Sequence, residues 1–391
     1  LRYHFQYINE LNLFQEVDHH TKYSSNIYGG KQQPSFFSIA NLFNPNTIED
    51  SEAHSGHGLC SGIKKDGKWN TEGHHDRIVH FNEHALRVVS RTFEYEKVWD
   101  SCKLVSIHNK HILEVLDKLS TFPYRTADAK KIITVCLDET HAVNDGIMLR
   151  ETHFPDMKQR EMIFSGPHVY VGNPLYKTPR ERCVLNSDYD SLDLTAVPND
   201  YIPRSNYIPC ISAMDLRDRI DGFDEGNKWM DYYHVAFRKM LASTLERTLI
   251  GAIIPPDTSH ILGLISVTFP SMQQTVEFAG LTSSIVLDFY IKTIGAANLY
   301  ENRIASFPLG VAEKFRRPLY VRTLMLNCLT IWYAPMWQEM WQDDFKDETW
   351  SIEDNRLRPF SSLTPEWQRN DALRNYFERR QALVEIDVLT A

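Results

Sequence analysis

The sequence has no long hydrophobic run and no excess of positive charge. A membrane-spanning helix needs about 20 consecutive apolar residues, whereas the most apolar stretches, residues 248–269 and 319–337, are interrupted by proline, charged or amide residues. These interruptions exclude a membrane protein. The 42 lysines and arginines are outnumbered by 51 aspartates and glutamates, which gives a formal net charge of −9. A wholly basic nucleic-acid binder is therefore excluded, and any contact with DNA has to come from local positive patches.

Cysteine is also scarce, and familiar catalytic motifs are missing. The six cysteines are widely spaced and include no CxxC pair, a pattern typical of reduced thiols in an intracellular protein. We therefore expect a cytoplasmic location. The sequence has no dinucleotide-binding GxGxxG motif and no GxSxG nucleophile elbow, so it assigns a catalytic role to no residue.

The pattern of apolar residues and turn residues predicts a mixed α+β fold with a helical C-terminal part. Strands are predicted at residues 14–17, 22–28, 131–137, 168–171 and 247–254, and helices at residues 106–119, 283–294, 319–333, 336–345 and 366–388. Seven prolines between residues 155 and 209 exclude long helices there. Three regions follow: a mixed α/β region at residues 1–160, a loop-rich region at residues 161–310 and a helical region at residues 311–391.

Histidines gather near a cysteine between residues 54 and 84. His54, His57 and Cys60 form an H-x-x-H-x-x-C run, and His74 and His75 follow it. Imidazole nitrogen and thiolate sulfur are zinc ligands, so one hypothesis is a metal-dependent nuclease or other hydrolase that uses this segment. The neighbouring serines and glycines favour solvated loop histidines instead. We assign no metal ligand from this pattern.

The run Val171-Gly172-Asn173-Pro174-Leu175-Tyr176 resembles the NPPY motif of amino-group DNA methyltransferases. In that motif the asparagine accepts hydrogen bonds from the target amine, and the aromatic ring stacks on a flipped base. Here Leu175 replaces the second proline, and no glycine-rich turn for S-adenosylmethionine precedes Asn173. The alternative is a structural or DNA-facing loop whose basic edge is formed by Lys177, Arg180 and Arg182.

Lysines and arginines form short clusters, several of them beside an aromatic residue. Such clusters suit phosphate contacts combined with stacking, although ordinary surface helices carry them too. They comprise Lys64, Lys65, Lys68 and Arg77, then Lys177, Arg180 and Arg182, then Arg316, Arg317 and Arg322, then Arg356 and Arg358, and finally Arg374, Arg379 and Arg380.

Further stretches share one resemblance, namely residues 11–17, 23–29, 67–74, 165–179, 200–207, 246–256 and 284–309. Together they resemble the non-catalytic, target-recognition half of large bacterial adenine-specific DNA methyltransferases. This family includes type IIG restriction–modification enzymes and the phage-defence methyltransferases of BREX and DISARM systems. The resemblance identifies residues 161–310 as a target-recognition-like region.

The resemblance implies that methyl transfer and DNA recognition belong to different domains. In such enzymes an N-terminal domain binds S-adenosylmethionine and methylates adenine, while the C-terminal region grips and reads the duplex. We therefore expect no cofactor in this chain, with S-adenosylmethionine bound by a separate catalytic domain. The expected partners are double-stranded DNA and either that catalytic domain or subunits of a defence complex, with no membrane involved.

The DNA contacts that we predict come from residue type, because arginine, lysine and asparagine form hydrogen bonds with base edges and phosphates. Base contacts are assigned to Lys177, Arg180, Arg182 and Arg204, with Asn173 and Tyr176 close by. Phosphate anchors are assigned to Arg316 and Arg317.

A third hypothesis is an interaction subunit of a phage-defence complex. Trp332, Trp337 and Trp341 would then pack on a partner, although tryptophan at helical spacing more often belongs to a core. The chain begins without methionine and ends within an apolar pattern, so we expect a piece of a longer protein.

Overall fold

The computed structural model describes residues 1–19, 21–94, 98–223, 226–242 and 245–391. Strands and helices are mixed along the chain, and the last part is helical, so the predicted α+β class is confirmed. The Cα positions divide into two compact units, Leu1–Pro123 with Thr293–Gly295, and Tyr124–Lys292 with Ala296–Ala391. The region boundaries predicted at residues 160 and 310 both fall inside the second unit.

A mixed β-sheet and several helices form the first unit. Its elements are β1 (Tyr3–Ile8), β2 (Lys22–Ile27), β3 (Ser35–Leu42), α1 (Asn46–Ala53), β4 (Lys64–Lys65), β5 (Lys68–Trp69), β6 (Val79–Asn82), α2 (Glu83–Phe93) and α3 (Lys110–Ser120). The main sheet has the order β2-β1-β3-β6, with β1 antiparallel to β2 and parallel to β3. Phe36 and Phe81 are paired across β3 and β6, and their buried rings stack with centroids 5.2 Å apart.

A second sheet and a layer of helices organise the chain from Tyr124 onward. The elements are β7 (Ile132–Thr134), α4 (Glu139–Asn144), β8 (Met148–His153), β9 (Ile163–Phe164), β10 (Lys177–Pro179), β11 (Tyr189–Ser191), β12 (Ser205–Pro209), α5 (Ala213–Asp218), β13 (His234–Arg238), β14 (Gly251–Ile254), β15 (Ser259–His260), β16 (Leu264–Thr268), α6 (Met272–Thr282), α7 (Ile285–Ile294), α8 (Glu301–Ala305), α9 (Glu313–Asn327), α10 (Ala334–Met340) and α11 (Tyr376–Thr390).

The four-stranded sheet of the second unit is antiparallel and has the order β14-β13-β16-β7. Nearly every residue of its three longer strands is buried. Helix α6 packs on β13, β14 and α9, and α9 packs on α11. Gly280 allows α6 and α9 to approach closely, because a Cβ atom there would lie 2.6 Å from Thr323 Oγ1. Short ladders join β8 to β12, β9 to β15 and β10 to β11.

Some of the predicted elements are confirmed, and others begin at different residues. The strand predicted at residues 22–28 and the helix predicted at residues 283–294 correspond to β2 and α7. Residues 14–17 form a turn, and Gly166–His168 is a 3-10 helix where a strand was predicted to begin, so both strand predictions are wrong. The helix predicted from residue 366 begins only at Tyr376, because Asn375 caps it. Within the described residues no helix is both long and apolar enough to cross a membrane.

Candidate nucleic-acid interface

The segment that resembles the methyltransferase motif folds into a tight turn. The backbone N–H groups of Tyr170 and Asn173 each donate to the carbonyl oxygen of the other, at 2.8 and 3.1 Å. Gly172 has φ +58°, a left-handed conformation that favours glycine. The side-chain oxygen of Asn173 accepts a hydrogen bond from the Leu175 N–H at 2.9 Å, and Asn173 is only 9% exposed. Asn173 is therefore a turn-forming residue in this structure.

Arg379 of α11 holds this turn against the C-terminal helices. Its Nη2 donates to the Gly172 carbonyl at 2.8 Å, and its Nη1 donates to the carbonyls of Leu326 and Leu373 at 2.9 and 2.8 Å. Burial lowers the pKa of Arg379 to about 9, so the guanidinium is still charged at neutral pH. The position of the turn thus depends on contacts with α9 and α11.

Aromatic rings and cations lie together just after the turn. The rings of Tyr170 and Tyr176 stack with centroids 4.7 Å apart. Lys177 Nζ lies 5.4 Å from the Tyr176 ring centroid, and the Arg238 guanidinium carbon lies 5.6 Å from it. These distances are within the range of cation–π interactions. Arg238 thus lies beside Tyr176 and Lys177, two residues predicted to contact DNA, and that role stays a prediction.

Arg238 ends β13 and presents a guanidinium with free hydrogen-bond donors. Its Nε donates to the carbonyls of Gly166 and Val169 at 3.0 and 3.1 Å. Burial lowers the pKa of Arg238. Among the described residues no carboxylate lies within ion-pair distance of it, and its Nη atoms form no hydrogen bond. The two carbonyls therefore orient the guanidinium while its Nη groups stay available to a ligand.

A cavity of about 460 Å³ lies beside these side chains. This volume is within the range of about 300–1,000 Å³ that is usual for small-molecule sites. The charged residues in its described lining are four cations, Arg150, Lys177, Arg238 and Arg247, and one carboxylate, Glu139. A chain with a net charge of −9 thus concentrates positive charge at this place.

A neutral hydrogen-bond network forms part of the cavity wall. Nδ1 of His168 accepts a hydrogen bond from the Ser165 N–H at 2.8 Å, so its proton is on Nε2, which donates to the Arg204 carbonyl at 2.9 Å. Burial lowers the pKa of His168 to about 4. Ser165 Oγ and Asn206 Nδ2 both bind the Tyr189 hydroxyl, at 2.8 and 2.9 Å, and burial raises the pKa of Tyr189 to about 12. These groups are therefore neutral at pH 7.

The three predicted arginines near the β10–β11 hairpin differ in their partners. Arg180 is exposed, and its Nη2 lies 2.8 Å from Asp190 Oδ1. Arg204 is half-buried, and its Nη2 lies 3.8 Å from Glu181 Oε1. Arg182 is exposed and has no ion pair within the described part of the chain. Arg182 is therefore the predicted arginine whose charge is available without breaking a contact.

Arg316 and Arg317 lie on α9 and face carboxylates. Arg316 Nη1 lies 2.6 Å from Glu313 Oε2. Arg317 Nε lies 2.6 Å from Glu348 Oε1, its Nη1 lies 3.2 Å from Asp344 Oδ2, and these hydrogen bonds raise the pKa of Arg317. Neither arginine is among the described residues that line the cavity. Their assignment as phosphate anchors stays a prediction, and it requires that DNA displace these carboxylates.

The histidines at residues 54–84 do not form a metal centre in this structure. The rings of His54 and His74 lie 4.2 Å apart, but His74 Nδ1 accepts a hydrogen bond from the Asp76 N–H at 3.1 Å. No three histidine, cysteine, aspartate or glutamate side chains in the described residues are placed to hold one ion together. The hypothesis of a metal-dependent hydrolase thus has no geometric support there.

The C-terminal tryptophans serve mainly inside the fold. Trp337 is fully buried, and its Nε1 donates to the Thr364 carbonyl at 2.8 Å. Trp332 is half-buried, and its Nε1 donates to the Asp200 carbonyl at 3.1 Å. Trp341 is also half-buried, and its Nε1 donates to Asp343 Oδ1 at 2.9 Å. Of the three tryptophans only Trp337 is fully buried, so the interaction-subunit hypothesis stays a prediction.

Sequence reasoning missed three cations of the cavity, namely Arg150, Arg238 and Arg247. They are distributed over about a hundred positions, so no local spacing connects them. Arg238 did carry a local signal, since Arg238 and Lys239 are two consecutive cations at the end of the apolar strand β13.

Comparison with protein-family models gives no match, and comparison with curated proteins gives none either. The functional proposal therefore rests on the sequence and on the geometry of the cavity.

Proposed function

We propose that the chain is the DNA-binding and target-recognition portion of a site-specific DNA adenine methyltransferase or restriction–modification protein. The observation that carries the proposal is the concentration of four cations around one cavity of an acidic chain. The proposal places S-adenosylmethionine and methyl transfer in a separate catalytic domain, and it places the protein in the cytoplasm, where the DNA of a bacterium lies.

The chemistry of DNA explains why this arrangement supports the proposal. Lysine and arginine neutralise phosphates, and this sequence-independent term supplies most of the affinity of non-specific binding. Lys177 and Arg182 are available for such contacts, since they have no ion pair among the described residues. Arg180 and Arg204 would exchange an exposed carboxylate for a phosphate, which costs little because exposed ion pairs contribute only about 0–1 kcal/mol.

Exposed apolar side chains at the rim of the cavity add a second reason. Val184, Leu185, Met240 and Leu245 line the cavity, and each is more than half exposed. Apolar side chains flanked by cations are used by DNA-binding proteins to insert between base steps. These exposed apolar side chains beside Lys177 thus suit contacts with a distorted duplex better than contacts with the phosphates of an undistorted duplex.

The proposal is tested by fluorescence anisotropy of a labelled duplex titrated with the chain at several salt concentrations, without metal or cofactor. We expect the logarithm of the affinity to fall linearly with the logarithm of salt concentration. The double variant Lys177→Ala/Arg182→Ala should bind more weakly, and the slope should fall by about 0.9 for each phosphate that is no longer neutralised.

The matched control is Lys314→Ala/Lys346→Ala, which removes the same charge from two exposed lysines outside the described cavity lining. This control should bind like the unchanged chain. Absence of binding at the lowest salt concentration, or equal weakening by both double variants, would contradict the proposal.

A further inference from the structure

We infer that the cavity is itself a binding site for a phosphate group, held by Arg238 and Lys177 with Arg247 in the wall. The inference rests on the proposed function only for the source of the phosphate, which is either the DNA backbone or a free nucleotide. It assigns a ligand to the interior of the cavity, whereas the proposed function concerns the surface around it.

Arg238 provides the fixed part of the site. Its Nε is occupied by the carbonyls of Gly166 and Val169, at 3.0 and 3.1 Å, so the plane of the guanidinium is set before any ligand arrives. A guanidinium without a carboxylate partner is costly to bury. Two phosphate oxygens match the fork of an arginine and would form charge-assisted hydrogen bonds with the free Nη groups.

Arg247 supplies a donor that has no acceptor. The residue is 6% exposed, and its Nη2 donates to Asp387 Oδ2 at 3.0 Å. Its Nη1 is buried and has no hydrogen-bond partner in the described part of the chain. A buried donor without a partner is destabilising. Arg247 lines the cavity, so a small shift of its side chain would let an oxygen-rich ligand there accept this hydrogen bond.

The charged side chains around the cavity favour an anionic ligand. Arg150 lies 3.5 Å from Glu139, the carboxylate of the described lining, and Arg247 is balanced by Asp387. Lys177 and Arg238 remain without a carboxylate among the described residues. A phosphate group carries the charge and the hydrogen-bond acceptors that these two cations lack.

The experiment is isothermal titration calorimetry of the full chain with inorganic phosphate and with adenosine 5′-monophosphate, in a chloride buffer at constant ionic strength. We expect saturable binding of both probes at millimolar concentrations or below. Arg238→Gln and Lys177→Gln should each weaken it about tenfold, since each removes a charge-assisted contact. Lys346→Gln is the matched control, because it removes a charge from an exposed lysine outside the described cavity lining, and it should leave binding unchanged.

Two further observations keep the test decisive. Arg238 also donates to the carbonyl of Gly166 and so stabilises the 3-10 helix Gly166–His168. Circular dichroism must therefore show that the Arg238→Gln variant is folded. If that variant unfolds, Lys177→Gln decides, because its half-buried side chain forms no hydrogen bond among the described residues. Absence of saturable binding by the unchanged chain, or equal affinities for the Lys177→Gln variant and the control, would overturn the inference.

Competition with a labelled duplex distinguishes the two sources of phosphate. If phosphate displaces the duplex at constant ionic strength, the occupant of the cavity is a backbone phosphate, and both proposals are supported. If phosphate binds while the duplex does not, the cavity takes a free phosphorylated ligand and the proposed function fails alone. If the duplex binds with the same affinity in both cavity variants and phosphate does not bind, the cavity inference fails alone.

Discussion

Lys177 and Arg238 beside the cavity have different surroundings from Arg322 in the C-terminal helices. Arg322 on α9 lies between Glu385 and Glu348, at 2.6 and 3.3 Å, and is almost fully buried. Lys177 and Arg238 beside the cavity have no carboxylate within ion-pair distance among the described residues. A positive cluster in the sequence therefore gives positive charge at the surface only for those members that the fold leaves accessible and without a carboxylate.

Buried titratable groups differ in the same way between the two regions. In the helical part Arg322 and Glu385 form a buried ion pair. In the β-rich part three buried histidines are neutral at pH 7, because burial lowers the pKa of His168 and His234 to about 4 and that of His260 to about 3. We therefore expect the helical part to lose stability when one member of an ion pair is removed, and the β-rich part to lose stability in acid.

The largest expected effect is on the helical side. Arg322→Ala should lower the free energy of unfolding by about 3–5 kcal/mol, because it leaves Glu385 buried without its cation. Chemical denaturation measures the loss. Lys314→Ala on the exposed face of the same helix should change stability by less than about 0.5 kcal/mol. Equal losses in the two variants would show that the buried ion pairs of Arg322 contribute no more to stability than one exposed lysine of the same helix.

Acid should act on the β-rich side. The folded-state pKa of His168 is about 4, below its ordinary value, so the unfolded chain binds this proton more readily. The stabilisation is present above about pH 6.5 and is lost as the pH falls towards 4, by about 1.4 kcal/mol per pH unit for one such histidine. Urea denaturation from pH 7 to 4.5 should show this fall.

A variant assigns the fall to His168. His168→Gln cannot titrate, so its stability should depend on pH less steeply than that of the unchanged chain, by about 1.4 kcal/mol per pH unit. The same slope in both proteins would show that His168 does not contribute to the pH dependence.

A smaller effect is expected for the hairpin arginines. Arg180→Ala/Arg182→Ala should weaken duplex binding about tenfold, equivalent to about 1.4 kcal/mol, and should flatten its salt dependence. Anisotropy titrations at several salt concentrations give both values. Unchanged affinity and slope would remove these residues from the interface.

The smallest effect is expected for the paired arginines of α9. Arg316→Ala/Arg317→Ala should change duplex affinity by less than about twofold, because both side chains are held by carboxylates and exposed paired charges contribute little. The same titrations test this. A loss as large as that of the hairpin variant would reverse the comparison and support the phosphate-anchor prediction.

Local patterns predicted the fold class and several elements. β2 and α7 follow directly from the types of residue that they contain, and these predictions needed no knowledge of distant residues. The start of α11 did not follow, because Thr364 and Pro365 form a good local helix signal. In the fold Thr364 donates instead to Asp371, with Oγ1 to Oδ2 at 2.9 Å, and Asn375 becomes the cap.

The candidate site was predictable only in part, for a similar reason. Tyr176 and Lys177 are neighbours in sequence and could be proposed together. The availability of a cation depends on acids that are remote in sequence: Asp387 is 140 residues from Arg247, and Glu385 is 63 residues from Arg322. No window of sequence contains both partners, so residue type alone could not separate a neutralised arginine from an available one.

The contact between Arg379 and Gly172 has a consequence for how such a chain can be recombined. The two residues are 207 positions apart, yet the guanidinium holds the carbonyl of the turn that precedes Tyr176. Grafting residues 161–310 alone into another protein would leave that carbonyl without its donor. The loop-rich segment and α11 therefore form one structural unit, and a graft has to include both to keep the turn in position.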